Sequence, residues 1–267
     1  MNILITVNVA YLKHFLTMLR SIESNTNGDF TIYVISKDVN EEHISVLKTG
    51  LDYPERFTFV CKKIDNVFQG KAPVSKKWPE TIYYRLFAGR ILPESVDKIL
   101  YLDTDIIVLK DLNELYSMDF NGKIFIGATH TCKFLRWFNQ VKNRAPKKSP
   151  YLNTGVLMID LNGLRKVHSD ERVFGYIKKN YHRLLLPDQD VLQGLYGDKL
   201  GLIDSHKYGL SDRHITLNNM FHKTKIDKKW VDENCCIIHY IGKNKPWKGK
   251  YKGFLNQYYY DYYTEKF

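Results

Sequence analysis

Short apolar runs alternate with segments of helical periodicity in the first half of this chain, and this alternation limits its fold more than any other feature. The runs ILITVNV (3–9), FTIYVIS (30–36) and RFTFVC (56–61) have the length and β-branched content of buried strands. Residues 11–24 and 40–50 lie between them and place apolar side chains at helical spacing. Strands that are separated by single helices predict βαβ units and a parallel sheet.

The same pattern continues through the rest of the chain. The segments predicted as strands are 98–109, 123–129, 152–161 and 235–242, and those predicted as helices are 81–91, 170–181 and 188–196. Continuous apolar strands fit a sheet that is covered on both faces. We therefore predict an α/β fold with a mainly parallel sheet and helices on both faces.

The positive charge is concentrated in two places. The 267 residues include 40 Lys and Arg against 29 Asp and Glu, a net charge of +11. Residues 133–148 hold six basic residues and 243–252 hold five, with no acidic residue in either segment, so the remaining chain is balanced. A nucleic-acid-binding protein more often spreads its charge along a face or helix. The pattern favours a phosphate-bearing small molecule, although solvated lysine-rich loops are the alternative.

The N-terminus and the cysteines indicate a cytoplasmic protein. The first residues, MNILITVNV, lack the basic region and cleavage site of a signal peptide, and no apolar stretch is long enough to predict a transmembrane helix. Cys235 and Cys236 are adjacent within an apolar run, and we expect them to be buried strand thiols.

Two carboxylates follow the most strongly β-forming run of the chain. Asp103 and Asp105 flank Thr104 at the end of KILYL, where ligands bind in open α/β sheets. Such a pair suits a divalent cation that holds phosphate oxygens, whereas a solvated turn is the alternative. His239 ends another apolar run, and an imidazole beside two carboxylates would favour Mn²⁺ over Mg²⁺.

Three further segments carry polar residues with both a structural and a functional interpretation. Gly155 after Asn153 would let a ligand approach the backbone, or it would simply form a turn. Asp188 would cap a helix or bind a ligand. Tyr11 would stack on a base or begin a helix. Gly242 followed by a lysine is typical of a loop that approaches phosphate.

Together these segments resemble the family 8 glycosyltransferases, which include bacterial lipooligosaccharide and lipopolysaccharide galactosyl- and glucosyltransferases and glycogenin. The matching segments are ITVNVAY (5–11), TIYYRLFAGRILP (81–93), KILYLDTDIIVLKDL (98–112), LNTGVLMIDL (152–161), PDQDVLQG (187–194) and HYIGKNKPW (239–247). The combination of HxxGxxKPW with an upstream LDxD is specific to the family, whereas neither motif is specific alone.

The resemblance implies a GT-A fold, with a Rossmann-like nucleotide half and a smaller acceptor region. It also implies a retaining transfer of galactose or glucose from a UDP-sugar with a divalent metal, Mn²⁺ or else Mg²⁺. It implies one domain over 1–267, with a nucleotide-binding half (1–112), a sugar and acceptor half (113–247) and a basic, aromatic tail (248–267). A front-face mechanism and a double displacement are both compatible with the sequence.

The resemblance also assigns roles to individual residues. The implied metal ligands are Asp103, Asp105 and His239, and the implied nucleotide-binding residues are Thr6, Asn8, Tyr11, Asp103, Thr104, Asp105, Gly242 and Lys245. The implied sugar-binding residues are Arg85, Asn153, Gly155, Asp188 and Gln189. The implied catalytic residues are Gln189, Asp188 and Lys245. A metal and a lysine at the diphosphate would stabilise the charge that develops as UDP departs.

Two positions depart from the family pattern, and two other functions remain as alternatives. His130 and Thr131 stand where the family often has an acid, and Ala10 stands where an Asn is often found. A sugar nucleotidyltransferase would need a Gly-rich, basic loop after the first strand, which ITVNVAYLKHF lacks. A non-enzymatic nucleic-acid-binding protein would bind with steep salt dependence, but no nucleic-acid-binding motif occurs in the sequence.

The acceptor is predicted from position and charge. Gly70–Trp78 and a loop over 133–150 fall where the family builds its acceptor cleft, and their basic residues suggest a glycan on an anionic or lipid-linked carrier. The segments 133–148 and 243–267 would then touch a membrane surface. The end of the tail, NQYYYDYYTEKF, is aromatic and polar. We expect it to pack on the sheet, and contact with a membrane interface is the alternative.

Overall fold

The computed structural model describes residues 1–64 and 80–265, without the side chains of Glu80 and Lys133. Its strands are β1 (Asn2–Thr6), β2 (Phe30–Ser36), β3 (Phe57–Lys63), β4 (Lys98–Leu102), β5 (Ile106–Val108), β6 (Phe125–Gly127), β7 (Val156–Asp160), β8 (Leu200–Leu202), β9 (Tyr208–Leu210) and β10 (Ile237–His239). The Gly70–Trp78 acceptor segment lies outside the described residues.

The helices surround these strands. They are α1 (Leu12–Asn25), α2 (Glu41–Lys48), α3 (Ala88–Ile91), α4 (Asn113–Tyr116), α5 (Lys133–Lys142), α6 (Leu161–Val167), α7 (Asp170–Asn180), α8 (Pro187–Tyr196), α9 (Asp212–Phe221), α10 (Lys228–Asn234) and α11 (Asn256–Tyr260). Short 3-10 helices span Val9–Tyr11, Pro54–Arg56, Glu80–Phe87, Tyr181–Arg183, Gly197–Lys199 and Pro246–Lys248. No helix within the described residues is long and apolar enough to cross a membrane.

Seven strands form the main sheet, in the order β3-β2-β1-β4-β7-β6-β8. The pairs from β3 to β4 are parallel, as is β6 with β8, whereas β7 runs antiparallel to both of its neighbours. The prediction of a mainly parallel α/β sheet is therefore confirmed. Alternate residues face opposite sides: Ile3 and Ile5 pack under α1, and Leu4 joins the core on the other face.

The predicted strand over 98–109 is wrong as a single element. It breaks at Asp103-Thr104-Asp105, so that β4 belongs to the main sheet and β5 pairs with β10 in a second sheet of order β5-β10-β9. Two acidic residues do not continue a strand between buried neighbours. The break turns the carboxylates into the space where the two sheets meet.

Two other predicted segments differ from the structure. The predicted helix over 81–91 is a 3-10 helix, Glu80–Phe87, that continues into the short α3. The predicted loop over 133–150 begins with a ten-residue helix, α5. The tail, by contrast, packs as expected, because Leu255, Tyr258 and Tyr259 are buried in a core around the second sheet. All four cysteines are free, and Cys235 and Cys236 are buried as predicted.

Candidate active site

A cleft of about 320 Å³ opens at the carboxyl ends of β1 and β4. Its lining residues are Thr6, Val7, Asn8, Tyr11, Thr81, Ile82, Arg85, Asp103, Thr104, Asp105 and Lys245. Eight of these were singled out by the sequence. They meet because β1 and β4 are parallel neighbours, so the residues that follow each strand emerge at the same edge of the sheet.

Asp103, Asp105 and His239 form one cluster beside this cleft. Each offers a ligand atom, and these atoms all lie within 4.8 Å of one another. The second sheet positions the histidine, because β10 pairs with β5 so that His239 lies opposite Ile106. The backbone N–H of Tyr240 also donates to the carbonyl of Asp105 at 3.0 Å. Two strands that are far apart in sequence thereby bring the imidazole to the carboxylates.

The cluster has the features that a divalent cation requires. Two carboxylates and one imidazole are a suitable donor set for Mn²⁺. Asp105 Oδ1 and His239 Nδ1 are buried and make no hydrogen bond within the described residues. A Cβ atom added to Gly155 would overlap the imidazole of His239 and lie 2.8 Å from Asp103 Oδ2. The residues present therefore fit a metal ion.

Arg85 is the buried cation that organises the acids of the site. Its Nη2 lies 3.2 Å from Asp103 Oδ1, and its Nη1 lies 3.6 Å from Asp188 Oδ2. Nη1 also donates to the carbonyl of Thr154 at 2.6 Å. The guanidinium stacks over the ring of Tyr101, 4.2 Å from its centroid. One arginine thus holds Asp103 and the start of α8 at a fixed separation.

Tyr101 fixes Asp103 from the side of the main sheet. Its hydroxyl donates to Asp103 Oδ1 at 2.6 Å and lies 2.8 Å from Thr6 Oγ1. Burial raises the pKa of Tyr101 well above its ordinary value, so the phenol stays protonated and remains a donor. The sequence analysis treated Tyr101 only as an apolar strand residue. Its position two residues before Asp103 is the sequence feature that could have indicated this contact.

Lys245 reaches the cluster from the loop that follows β10. Its ammonium group pairs with the carboxylate of Asp105 and donates to the carbonyl of Tyr240. Burial by itself would raise the pKa of Asp105, but His239 and Lys245 outweigh it and hold that pKa well below the usual range. Asp105 is therefore a carboxylate ready to accept a cation at neutral pH.

Hydrogen bonds with residues 154 and 155 hold the side chains of Asp188 and Asn153. The hydroxyl of Thr154 donates to Asp188 Oδ2 at 2.5 Å, and Asn153 Oδ1 accepts from the N–H of Gly155 at 3.0 Å. Burial raises the pKa of Asp188, against the opposing effects of Arg85 and the Thr154 hydroxyl. The next residue, Gln189, is half-buried in the first turn of α8.

The loop after β10 is anchored by aromatic stacking. The ring of His14 stacks on Trp247 with 3.8 Å between centroids, and Tyr11 meets the same indole edge-on at 6.4 Å. His14 Nδ1 also lies 2.7 Å from the hydroxyl of Tyr259. Gly242, in the same loop, is exposed and has a φ of +79°, which favours glycine. His14 was not among the predicted site residues.

A second group of histidines adjoins the cluster. His130 Nδ1 lies 3.0 Å from His214 Nε2 with the two rings stacked, and the ring of His130 lies 6.0 Å from that of His239. Burial lowers the pKa of both His130 and His214, in the second case to about 4, so both are neutral at pH 7. His130, a departure from the family pattern, therefore adds an uncharged imidazole beside the metal-ligand set.

The family model described as "Glycosyl transferase family 8" matches residues 2–250. The chain belongs to this family. All of the cleft-lining and cluster residues described above fall inside the matched range. Among its family 8 relatives is the lipopolysaccharide 1,2-glucosyltransferase of Escherichia coli, 27% identical over 237 residues, which cover 85% of this chain and 66% of that protein.

A second relative and a solved structure show the extent of the likeness. The glycosyltransferase GlyE of Streptococcus pneumoniae is 26% identical over 258 residues, which cover 95% of this chain and 58% of that protein. This chain thus spans less than two thirds of the length of GlyE and of the Escherichia coli glucosyltransferase. The crystal structure of the galactosyltransferase LgtC with donor and acceptor sugar analogs superposes with a TM-score of 0.78 at 21% identity, over 98% of this chain and 95% of that one. The GT-A fold is therefore confirmed.

Proposed function

We propose that this protein is a retaining hexosyltransferase that moves galactose or glucose from a UDP-sugar to a glycan acceptor. The observation that carries the proposal is the convergence of Asp103, Asp105 and His239 at the edge of a nucleotide-sized cleft. Membership of family 8 supports it. The names of the relatives, a lipopolysaccharide glucosyltransferase and a galactosyltransferase, support a hexose as the transferred group.

The cleft supports an assignment for each part of the donor. We assign the uridine to Thr6, Asn8 and Tyr11, whose half-exposed ring is free to stack on a base. Gly242 and Lys245 would hold the diphosphate. Residues 1–112 then form the nucleotide-binding half, and 113–247 form the sugar and acceptor half. The sugar would lie against Arg85, Asn153, Gly155, Asp188 and Gln189.

The catalytic proposal divides the chemistry between a metal and the chain. When bound by Asp103, Asp105 and His239, a divalent cation (Mn²⁺ by its donor set, or else Mg²⁺) supplies positive charge for the departing diphosphate. Lys245 adds a second positive charge from the loop after β10. A charge that is already in place stabilises the transition state more than the ground state, since negative charge develops only as UDP leaves.

The bond changes follow from retention. The bond between the anomeric carbon and the β-phosphate oxygen breaks, and the acceptor oxygen forms its bond on the same face while its proton passes to the departing diphosphate. Asp188 is held by Arg85 and Thr154, and an amide such as Gln189 is a poor nucleophile. Because neither side chain is suited to attack the sugar, a front-face pathway is favoured over a covalent intermediate. Asp188 and Gln189 would then shield the positive charge that develops on the sugar.

The acceptor proposal rests on charge. We propose a glycan on an anionic or lipid-linked carrier in bacterial surface polysaccharide, lipopolysaccharide or glycoprotein synthesis at the cytoplasmic face of a membrane, because residues 133–148 hold six basic residues and no acidic one. Transfer to neutral free sugars that is preferred, and unaffected by Lys147→Gln and Lys148→Gln, would contradict the anionic carrier.

The test is a screen with radiolabelled UDP-galactose and UDP-glucose against lipid-linked and free oligosaccharides in Mn²⁺ buffer. We expect transfer from one of the two donors, and nuclear magnetic resonance of the product should show the same anomeric configuration as in the donor. An inverted product, or no UDP release from either donor, would contradict the proposed function.

A further inference from the structure

Helix α5 presents its apolar side to solvent. Phe134, Trp137, Phe138 and Val141 repeat at the spacing of one helix face. Their exposed fractions are 68%, 57%, 48% and 56%. We call these four residues the α5 face. A contiguous apolar patch of this kind on a folded protein marks a place where another surface binds.

The polar side of α5 is held inward by one buried carboxylate. Lys142 Nζ donates to both oxygens of Asp190 at 2.8 and 3.0 Å, and Asn143 Nδ2 donates to Asp190 Oδ1 at 2.8 Å. The hydroxyl of Tyr151 donates to the same oxygen at 2.9 Å. Since the charged partner is fully buried, rotating the helix to bury its apolar face would break these bonds. The outward direction of the α5 face is therefore built into the fold.

A second segment with exposed apolar side chains is also bound to Asp190. The backbone N–H groups of Leu185 and Leu186 donate to Asp190 Oδ2 at 2.7 and 3.1 Å. The side chains of Leu185, Leu186 and Tyr181 are exposed. The apolar surface therefore continues from α5 onto the turn that precedes α8.

Both segments are basic. Residues 133–148 contain five Lys and Arg besides Lys142, which is paired with Asp190. Residues 178–186 contain three more, and neither segment contains Asp or Glu. This charge disfavours a second copy of the chain as the occupant, because each copy carries +11. Exposed aromatic and aliphatic side chains with surrounding basic residues complement an anionic lipid surface, which takes the apolar groups and attracts the cations.

We propose that the α5 face, with the 178–186 turn, docks the protein onto an anionic lipid surface. The inference builds on the proposed function and narrows the membrane contact to one face. Asp190 lies in the same helix turn as Asp188 and Gln189, so docking would hold the sugar end of the site near the lipid headgroups. The aromatic tail is not part of this surface, because Tyr258 and Tyr259 are buried and His14 contacts Tyr259.

The test is sedimentation of the full chain with vesicles of phosphatidylglycerol and phosphatidylcholine, and with vesicles of phosphatidylcholine alone. We expect binding to the anionic vesicles and a loss of at least about tenfold in partitioning for the triple variant Phe134→Ser, Trp137→Ser, Phe138→Ser. Lys147→Gln and Lys148→Gln should each reduce the partitioning about fivefold.

Two double variants are the controls. Val46→Ser with Tyr53→Ser removes exposed apolar groups elsewhere, and Lys228→Gln with Lys229→Gln removes exposed charge elsewhere. Each double variant should bind the anionic vesicles as wild type does.

Hydrolysis of UDP-hexose without acceptor tests the folding and the donor site of a variant independently of vesicle binding. We expect the triple variant to retain this hydrolysis. Absence of wild-type binding to anionic vesicles, or equal binding by the triple variant, would overturn docking while the proposed transfer stands. A dimer that the triple variant converts to monomers, or binding of a free oligosaccharide that the variant loses, would also overturn it. Vesicle binding with no turnover of either UDP-hexose would support docking and contradict the proposed function.

Discussion

Gly155 approaches His239 so closely that a Cβ atom at residue 155 would overlap the imidazole Cε1 and crowd Asp103 Oδ2. We predict that Gly155→Ala displaces the histidine and weakens Mn²⁺ binding at least about tenfold, a range typical of disturbed support around metal ligands. Isothermal titration calorimetry measures this directly.

The matched control is Gly175→Ala in α7, where an added Cβ meets nothing within 4 Å. Replacing a helical glycine there should raise the free energy of unfolding by about 0.5–1 kcal/mol and leave Mn²⁺ binding unchanged. Equal Mn²⁺ affinity in the two variants would show that the contact between Gly155 and His239 does not shape the site.

Removal of the Arg85 guanidinium should impair both stability and turnover. Arg85→Met leaves Asp103 and Asp188 without their shared cation, so we predict that the free energy of unfolding falls by about 3–5 kcal/mol. Arg85→Lys should lose less stability, but turnover should still fall, because one ammonium group cannot span both carboxylates and a backbone carbonyl. Denaturant unfolding and steady-state UDP release measure the two effects.

The control is Lys229→Met, at an exposed position, which should change the free energy of unfolding by less than about 0.5 kcal/mol. A loss of stability there similar to that of Arg85→Met would argue against a special role for Arg85.

Asp190 is predicted to be a structural carboxylate whose loss affects α5 and α8 together. Asp190→Asn leaves the ammonium group of Lys142 without its partner, and we expect the unfolding free energy to fall by about 3–5 kcal/mol. Hydrogen exchange should also show faster opening of Lys133–Lys142 than in wild type. Asp198→Asn, at an exposed residue, is the control. Unchanged exchange in α5 would contradict the anchoring role.

The stack of His14 on Trp247 should make the protein sensitive to acid. Burial lowers the pKa of His14 from its ordinary 6.5 to about 4. Between these two pH values the unfolded chain binds a proton that the folded chain does not, so stability falls as the pH drops through this window. We predict that His14→Gln reduces this slope in denaturant unfolding, whereas His182→Gln, at an exposed histidine, does not. Equal slopes for both variants would contradict the assignment.

Short-range patterns predicted much of the fold. The second strand, 30–36, was predicted with its observed bounds, and α7 and α8 were predicted to within about a residue, because each has a clear apolar period. The split between β4 and β5 was missed, since it depends on pairing with β10, a partner more than a hundred residues away.

In the site, too, some residues were predicted from the sequence, whereas contacts between distant segments were not. Asp103, Asp105 and His239 were grouped through the family resemblance, and the structure brings them together. The positioning contacts of Tyr101 and His14 were not predicted, because a hydrogen bond from a strand tyrosine and a stack between distant helices leave no local pattern. The helix α5 was also missed, although its apolar residues have helical spacing, because the basic charge of 133–148 and the prolines that follow favoured a loop.

The central claim is that Asp103 and Asp105 hold a divalent cation that the transfer of hexose requires. The most direct measurement is the rate of UDP release from UDP-galactose and UDP-glucose in Mn²⁺ buffer for wild type, Asp103→Asn and Asp105→Asn, with folding checked by circular dichroism. We predict that each substitution lowers the rate by at least about a hundredfold, and that chelation of the metal does the same to wild type. Folded variants that retain wild-type turnover would contradict the account.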